Sequence, residues 1–193
     1  MNNYVTFGSF NNLAKVNDRL IALWSCILGR VPGSRVLLKA ASLRDPSARL
    51  GVIEAFARHG ICADRILLLS PIDGTGNHLA AYAQVDIALD TLPYHGTTTT
   101  CEALWMGVPV VTLAGQTHVS RVGASLLRQV SLTDLIAETP DDYVDRAVQL
   151  AEDHARLADL RRVLRGRMSL SQLTSGAVFT RDFESTIRSI WRV

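Results

Sequence analysis

Short continuous apolar runs recur along this chain. They are separated by longer stretches whose apolar positions fall three and four apart. The runs are Tyr4–Gly8, Arg35–Ala40, Arg65–Leu69, Val85–Leu89 and Val108–Leu113, with a shorter one over Leu132–Ala137. None alternates strictly between apolar and polar, so they read as strands buried on both faces, the pattern of a parallel sheet. The first helical stretch spans Asp18 to about Arg30, with Asn17 as its cap and Leu20, Leu23, Trp24, Ile27 and Leu28 on one face. Asp45-Pro46 opens a second, with Leu50, Ile53, Phe56 and Ala57 as its apolar face and Gly60 closing it. A short helix is expected over His78–Gln84. Another starts among Thr97–Thr100, carries Ala103, Leu104 and Met106, and ends at Gly107. Ser120 starts one over Arg121–Val130. Beyond Pro140 the strands stop. One helix is expected from Asp141 to about Met168, with Tyr143, Ala147, Leu150, Leu157, Leu160 and Leu164 in register. An amphipathic helix begins at Thr180 and ends at Trp191.

Strand and helix alternate at least five times, which defines the fold class as α/β: a Rossmann-like parallel sheet flanked by helices, joined by right-handed crossovers. No repeat, low-complexity tract or linker divides the chain. A single domain over 1–193 is expected, with a helical C-terminal extension from about 140 to 193. Ligands of such sheets bind beyond the carboxyl ends of the strands. The loops that fall there are Ser9–Lys15, Ala40–Arg44, Ser70–Asn77, Thr91–Thr98 and Ala114–Ser120, and they hold most of the polar, glycine and threonine residues between the elements. That predicts a crevice for an anionic ligand.

The densest of these pieces is Asp90-Thr91-Leu92-Pro93-Tyr94-His95-Gly96-Thr97-Thr98-Thr99-Thr100, a polar turn between a strand and a helix. A helix start presents unpaired N–H groups and the positive end of its dipole, and threonine hydroxyls add donors. Glu102, one turn on, can accept from a sugar hydroxyl. The alternative is a helix capped by its own threonines, with a solvated Thr cluster. The turn residue His95 can approach a sugar or phosphate, or cap the turn.

Composition narrows the setting. At 193 residues, 48% hydrophobic and 20% charged, the chain is of ordinary soluble globular type. A net charge of +2 gives no pull towards nucleic acid or an acidic membrane. No apolar run approaches the roughly 18 residues that span a bilayer. The N-terminus has neither the basic nor the apolar segment of a signal peptide. Cys26, Cys62 and Cys101 lack metal-ligand or CxxC spacing, so buried free thiols in a reducing, cytoplasmic compartment are expected, with no metal. Of 20 basic residues only Lys15 and Lys39 are lysine. In a chain that otherwise uses arginine, a retained lysine marks a place for a compact point charge.

Three blocks together carry a family resemblance: Thr6-Phe7-Gly8-Ser9-Phe10-Asn11-Asn12-Leu13-Ala14-Lys15-Val16, then Leu89 through Leu113, then Ser120-Arg121-Val122. In order and spacing the chain resembles the C-terminal half of the catalytic region of the O-linked N-acetylglucosamine transferases, in the SPINDLY-like bacterial branch. The resemblance implies the C-terminal half of a GT-B fold, which binds a UDP-sugar donor, UDP-GlcNAc in most of the family. It implies transfer to Ser or Thr of a protein acceptor without a metal or other cofactor. A close branch resembles N-glucosyltransferases that use UDP-glucose on Asn. Lys15 matches the lysine that meets the diphosphate, and so is the catalytic candidate. Thr98 and Thr99 match its threonine ligands, Glu102 a carboxylate at the ribose, and His78 a histidine beside the uridine. The backbone of Asp73 would face the uracil edge. Asn12 stands where the family usually has a longer Gln. Thr75 and Ala81 stand where the animal enzymes have basic residues, which predicts a different or weaker hold on the uridine. Nothing in the chain matches the family's N-terminal catalytic domain or its TPR superhelix. The implied entity is a donor-binding half, inactive alone, whose last helix has an underused apolar face. Those departures also leave open a nucleotide-binding or interaction module with no transferase activity.

Overall fold

The computed structural model describes residues 4–71 and 74–191. Six strands form one sheet: β1 (Thr6–Ser9), β2 (Arg35–Lys39), β3 (Ile66–Leu69), β4 (Ile87–Leu89), β5 (Val110–Leu113) and β6 (Ile136–Ala137). Their order is β3-β2-β1-β4-β5-β6, and every pairing is parallel. The chain therefore winds outward from β1 to one edge, then returns to β4 and winds to the other. Between β1 and β4 the order reverses. There the two following loops leave in opposite directions, and a crevice opens at the carboxyl ends.

Eight α-helices are described: α1 (Asp18–Arg30), α2 (Pro46–Ala57), α3 (Thr75–Ala80), α4 (Thr98–Trp105), α5 (Val122–Gln129), α6 (Pro140–Glu152), α7 (His154–Ser169) and α8 (Gly176–Trp191). The core is the sheet with the helix faces laid on it. Phe7, Leu37, Ile87 and Val111 of the four central strands are fully buried, as are Trp24 of α1, Phe56 of α2, Leu104 of α4 and Tyr143 of α6. Each large apolar side chain so placed contributes about 1.5–3 kcal/mol relative to exposure.

Two polar contacts tie the helices to the crevice. Asn17 caps α1 by accepting from the Leu20 N–H, and its amide donates to the Leu92 carbonyl at 2.8 Å. The Tyr143 hydroxyl accepts from the Trp24 indole at 3.1 Å and donates to the Asp90 carbonyl at 3.0 Å. Burial pushes the Tyr143 phenol well above its ordinary pKa, so it keeps the proton it donates. Tyr143→Phe leaves a buried N–H and a buried carbonyl unpaired. It is expected to cost about 2 kcal/mol, read as a lower urea midpoint at unchanged slope. An unchanged midpoint would show that the hydroxyl is not stabilising.

Most strands and α1 lie where the apolar pattern placed them, and several local expectations need correction. The stretch 141–168 is two helices, because Asp153 leaves helical geometry (φ −91°, ψ 76°) and its carboxylate caps α7 at the Arg156 N–H. The apolar stripe continues through the break, which hid it. The short helix starts at Thr75 rather than His78: Gly74, at φ 87°, turns the chain and accepts from the His78 N–H. Of the face expected on α2, Phe56 is buried and Ile53 half-buried, but Leu50 is 56% exposed and Ala57 is exposed; Val52 and Ala55 are buried in their place. Cys26 and Cys62 are exposed and Cys101 is half-buried, although all three are free as expected.

The last helix starts at Gly176, four residues early, and has no buried residue. Phe179, Phe183, Ile187, Ile190 and Trp191 all stand exposed on it. No helix among the described residues is long and apolar enough to cross a membrane.

Candidate functional site

The crevice is built around Asp90, the first residue after β4. Its carboxylate is buried. One oxygen accepts from the N–H groups of Thr91 at 2.9 Å and Gly96 at 2.7 Å, the other from the Thr112 hydroxyl at 2.8 Å. The turn from 90 to 96 is thus closed by one side chain. Burial raises the Asp90 pKa above the ordinary carboxylate value, while the three donors oppose that rise.

His95 completes the same network. Its Nε2 lies 3.0 Å from the Leu113 carbonyl, and its Nδ1 accepts the Gly123 N–H at 3.0 Å. A carbonyl requires a donor and an amide an acceptor, so these partners assign the neutral Nε2–H tautomer. The ring is buried, with both nitrogens engaged inside the protein. Direct ring contact with a ligand, expected as one option for His95, is not what this arrangement offers. The ring holds the turn, and the backbone faces the crevice.

That backbone meets Lys15. The Lys15 ammonium donates to the His95 carbonyl at 2.9 Å and lies 4.2 Å from the centre of the Tyr94 ring. Lys15 closes the short 3-10 turn Leu13–Lys15, capped by Asn12, whose side-chain oxygen accepts the Ala14 N–H at 3.0 Å. Partial burial lowers the Lys15 pKa from its ordinary value, and the Asp90 charge acts in the opposite sense. A cleft of about 460 Å³ opens here, lined by Asn12, Ala14, Lys15, Asn17, Pro93 and Tyr94.

Helix α4 starts three residues after His95. The threonines do not cap it as one sequence reading allowed: Thr97 holds the cap position with no side-chain bond. The Thr99 hydroxyl donates to the Asn11 side chain at 3.0 Å, and the Thr100 hydroxyl bonds back to the Gly96 carbonyl at 3.1 Å. The helix start is left open to an acceptor from outside, with Thr97 and Thr98 exposed beside it. Gly96 permits this packing, since a Cβ there would lie 2.4 Å from the Thr99 hydroxyl and 3.0 Å from Asn11 Oδ1.

One turn further along α4, Glu102 pairs with His78 of α3, with Nε2 to Oε2 at 3.0 Å. The Tyr82 hydroxyl donates to the same oxygen at 3.1 Å. Burial first, then the Glu102 charge, push the Tyr82 phenol far above its ordinary range, so its proton stays on oxygen. Phe10 packs against both aromatic partners, with ring centres 4.3 Å from Tyr82 and 6.2 Å from His78.

The structure therefore gathers two groups at the carboxyl edge. Lys15 and Asn12 stand beside the start of α4 with Thr98 and Thr99, and His78 meets Glu102 one turn along. Asp73 lies outside the described residues. Thr75 is exposed at the start of α3, and Ala81 is buried. Sequence reasoning did not single out Asp90, Tyr82 or Asn11, nor give Lys39 a role. Asp90 had a signal, a lone carboxylate closing an apolar strand, and Lys39 had one as the second of two lysines. Nothing local marked Tyr82. Among the described residues no cluster of His, Cys, Asp or Glu is placed to hold a metal ion.

A parallel sheet of this order, with a cation and an open helix start at its switch point, is a Rossmann-like doubly wound fold with its ligand crevice at the carboxyl ends of the strands. The chain belongs to glycosyl transferase family 41, whose model matches residues 1–183. It is 47% identical over 191 residues to the probable UDP-N-acetylglucosamine–peptide N-acetylglucosaminyltransferase SPINDLY of Solanum lycopersicum, covering 99% of this chain and 20% of that protein. A mutant of the Thermobaculum terrenum O-GlcNAc transferase superposes with a TM-score of 0.91 at 40% identity, over 97% of this chain and 36% of that one. Anabaena HepE, in complex with UDP and glucose, shares the fold at a TM-score of 0.64 and 15% identity, over 95% of this chain and 49% of that one. The chain thus spans about a fifth of the length of the curated relative.

Proposed function

We propose that this chain is the donor half of a protein glycosyltransferase that moves N-acetylglucosamine from UDP-GlcNAc to Ser or Thr hydroxyls. The remaining catalytic half and a TPR region that recruits the protein acceptor lie outside these residues. The observation that carries the reading is the placement of the Lys15 ammonium on the His95 carbonyl, three residues before the uncapped start of α4.

In this reading the acceptor hydroxyl attacks the anomeric carbon. Its oxygen forms the new glycosidic bond as the bond from that carbon to the diphosphate oxygen breaks. The hydroxyl proton leaves to a base on the other half, and UDP departs with the bonding electrons. Negative charge grows on the departing diphosphate. Lys15, the Thr98 hydroxyl and the α4 N–H groups, that of Thr99 among them, meet it, so the step requires no metal or cofactor. At the nucleoside end Glu102 receives a ribose hydroxyl and His78 lies by the base. Asn12, its oxygen spent on the local cap, offers its amide N–H₂ to the diphosphate edge. Unpaired cysteines suit a reducing, cytoplasmic setting. The exposed apolar face of α8 is surface that the rest of the enzyme would cover.

The test is a calorimetric titration of this chain with UDP, UDP-GlcNAc, UDP-glucose and GDP. Saturable UDP binding, weakened in Thr98→Ala, is the expected result, and the sugar series then names the donor. No UDP binding at millimolar concentration, either here or in the complete enzyme, would overturn the reading and leave a non-catalytic interaction module.

A further inference from the structure

Lys39 ends β2 with 4% of its surface exposed, in a chain that has only one other lysine. Long charged side chains are seldom buried so completely without a partner that uses the charge. The partner here is His78. The Lys39 ammonium lies 2.7 Å from His78 Nδ1 and 3.4 Å from the His78 carbonyl, with the Phe10 ring centre 5.0 Å away. Burial lowers the Lys39 pKa from its ordinary value, and the Glu102 carboxylate pulls it back up.

An ammonium has three protons and no lone pair, so His78 Nδ1 must accept. The ring proton is then on Nε2, which faces Glu102 Oε2 at 3.0 Å and donates to it. The Tyr82 hydroxyl donates to the same oxygen. Both internal donors fall on Oε2, and among the described residues Oε1 accepts from none. The result is a directed chain: Lys39 donates to His78, His78 to Glu102, and one carboxylate oxygen is left for an outside donor. Take the ammonium away and the direction is lost. The His78 ring can then carry its proton on either nitrogen, or turn its other nitrogen to Glu102.

We propose that Lys39 is a positioning residue for the nucleoside end of the donor, acting through the His78 ring to hold Glu102 with Oε1 free for the ribose hydroxyls. The proposal rests on the UDP-sugar reading, and its test separates the two.

This chain and Lys39→Met are titrated with UDP, with its 2′- and 3′-deoxy analogues, and with inorganic pyrophosphate. The wild type is expected to prefer UDP over at least one deoxy analogue. Lys39→Met should lose that preference and about tenfold or more in UDP affinity, as for a lost charge-assisted hydrogen-bond partner. Pyrophosphate affinity should stay as it was. A merely structural role would not move the ratio of UDP to its deoxy analogue. An unchanged ratio, or equal loss for UDP and pyrophosphate, would overturn the proposal.

Nitrogen-15 NMR of the imidazoles is the second arm and needs neither nucleotide nor variant. His78 of the wild type should show the neutral Nε2–H tautomer at neutral pH. An Nδ1–H tautomer or an imidazolium would overturn the proposal even if Lys39→Met failed to fold. If neither this chain nor the complete enzyme binds UDP, the donor reading has failed, and the His78 tautomer still decides whether Lys39 directs the chain.

Discussion

Lys15→Ala in the complete enzyme is expected to lower turnover by about 10²–10³-fold, the loss typical of removing one preorganised charge-stabilising donor. The argument is electrostatic. The diphosphate is already anionic in the bound donor and gains further charge as the bond to the sugar breaks, so a fixed ammonium stabilises the transition state more than the ground state. Lys15 is fixed by the His95 carbonyl at 2.9 Å and the Tyr94 face at 4.2 Å, and among the described residues no carboxylate is paired with it. Its charge is therefore available to a ligand. The loss should fall mainly on kcat, with a smaller fall in UDP affinity measurable on this chain alone. Lys15→Arg should recover little, because a planar guanidinium cannot occupy the place of a compact ammonium between a carbonyl and a ring face. The side chain is only half-buried, so the melting temperature should not change. Turnover equal to wild type would remove Lys15 from the reaction.

The other charge centres explain what was legible in the sequence and what was not. The strands from Tyr4 to Leu113 were legible because a parallel sheet buried on both faces has continuous apolar runs, and their alternation with helices fixes the class of topology. The crevice followed, since the polar loops all fall at one edge. The break at Asp153 was not legible. The apolar period runs through it, and only a cap residue marks the stop. The face of α2 was misplaced for a similar reason: its apolar residues surround the helix, so position alone did not say that Leu50 faces solvent. The threonine cluster shows a third limit. Four hydroxyls at a helix start suit capping, but Thr99 turns to Asn11 and Thr100 to the Gly96 carbonyl, contacts made across the fold or back along the turn. His95 was ambiguous for the same cause. Whether a turn histidine faces a ligand or the interior is decided by Leu113 and Gly123, residues 18 and 28 positions away.

Those distant partners set the second large effect. Gly123→Ala is expected to destabilise the chain by about 3 kcal/mol, at the upper end for forcing an extra methyl into a packed interior. A Cβ at Gly123 would lie 2.4 Å from Asp90 Oδ2, 2.4 Å from Thr112 Oγ1 and 3.0 Å from His95 Nδ1, so it strikes three members of one buried network at once. None can yield cheaply. Asp90 holds the Thr91 and Gly96 amides, Thr112 lies on β5, and His95 is pinned between Leu113 and Gly123 itself. The effect should reach function through the backbone. If His95 shifts, its carbonyl no longer seats Lys15, so UDP affinity should fall in whatever fraction stays folded. Gly29→Ala is the control. Gly29 lies within α1, and beyond that helix's own backbone no described residue comes within 4 Å of the added Cβ. There the gain in helix propensity should stabilise by about 0.5–1 kcal/mol, with UDP binding unchanged. Urea denaturation of both variants, paired with UDP titration, separates the two behaviours. Equal stability for Gly123→Ala and wild type would mean that the network relaxes freely and does not hold the turn.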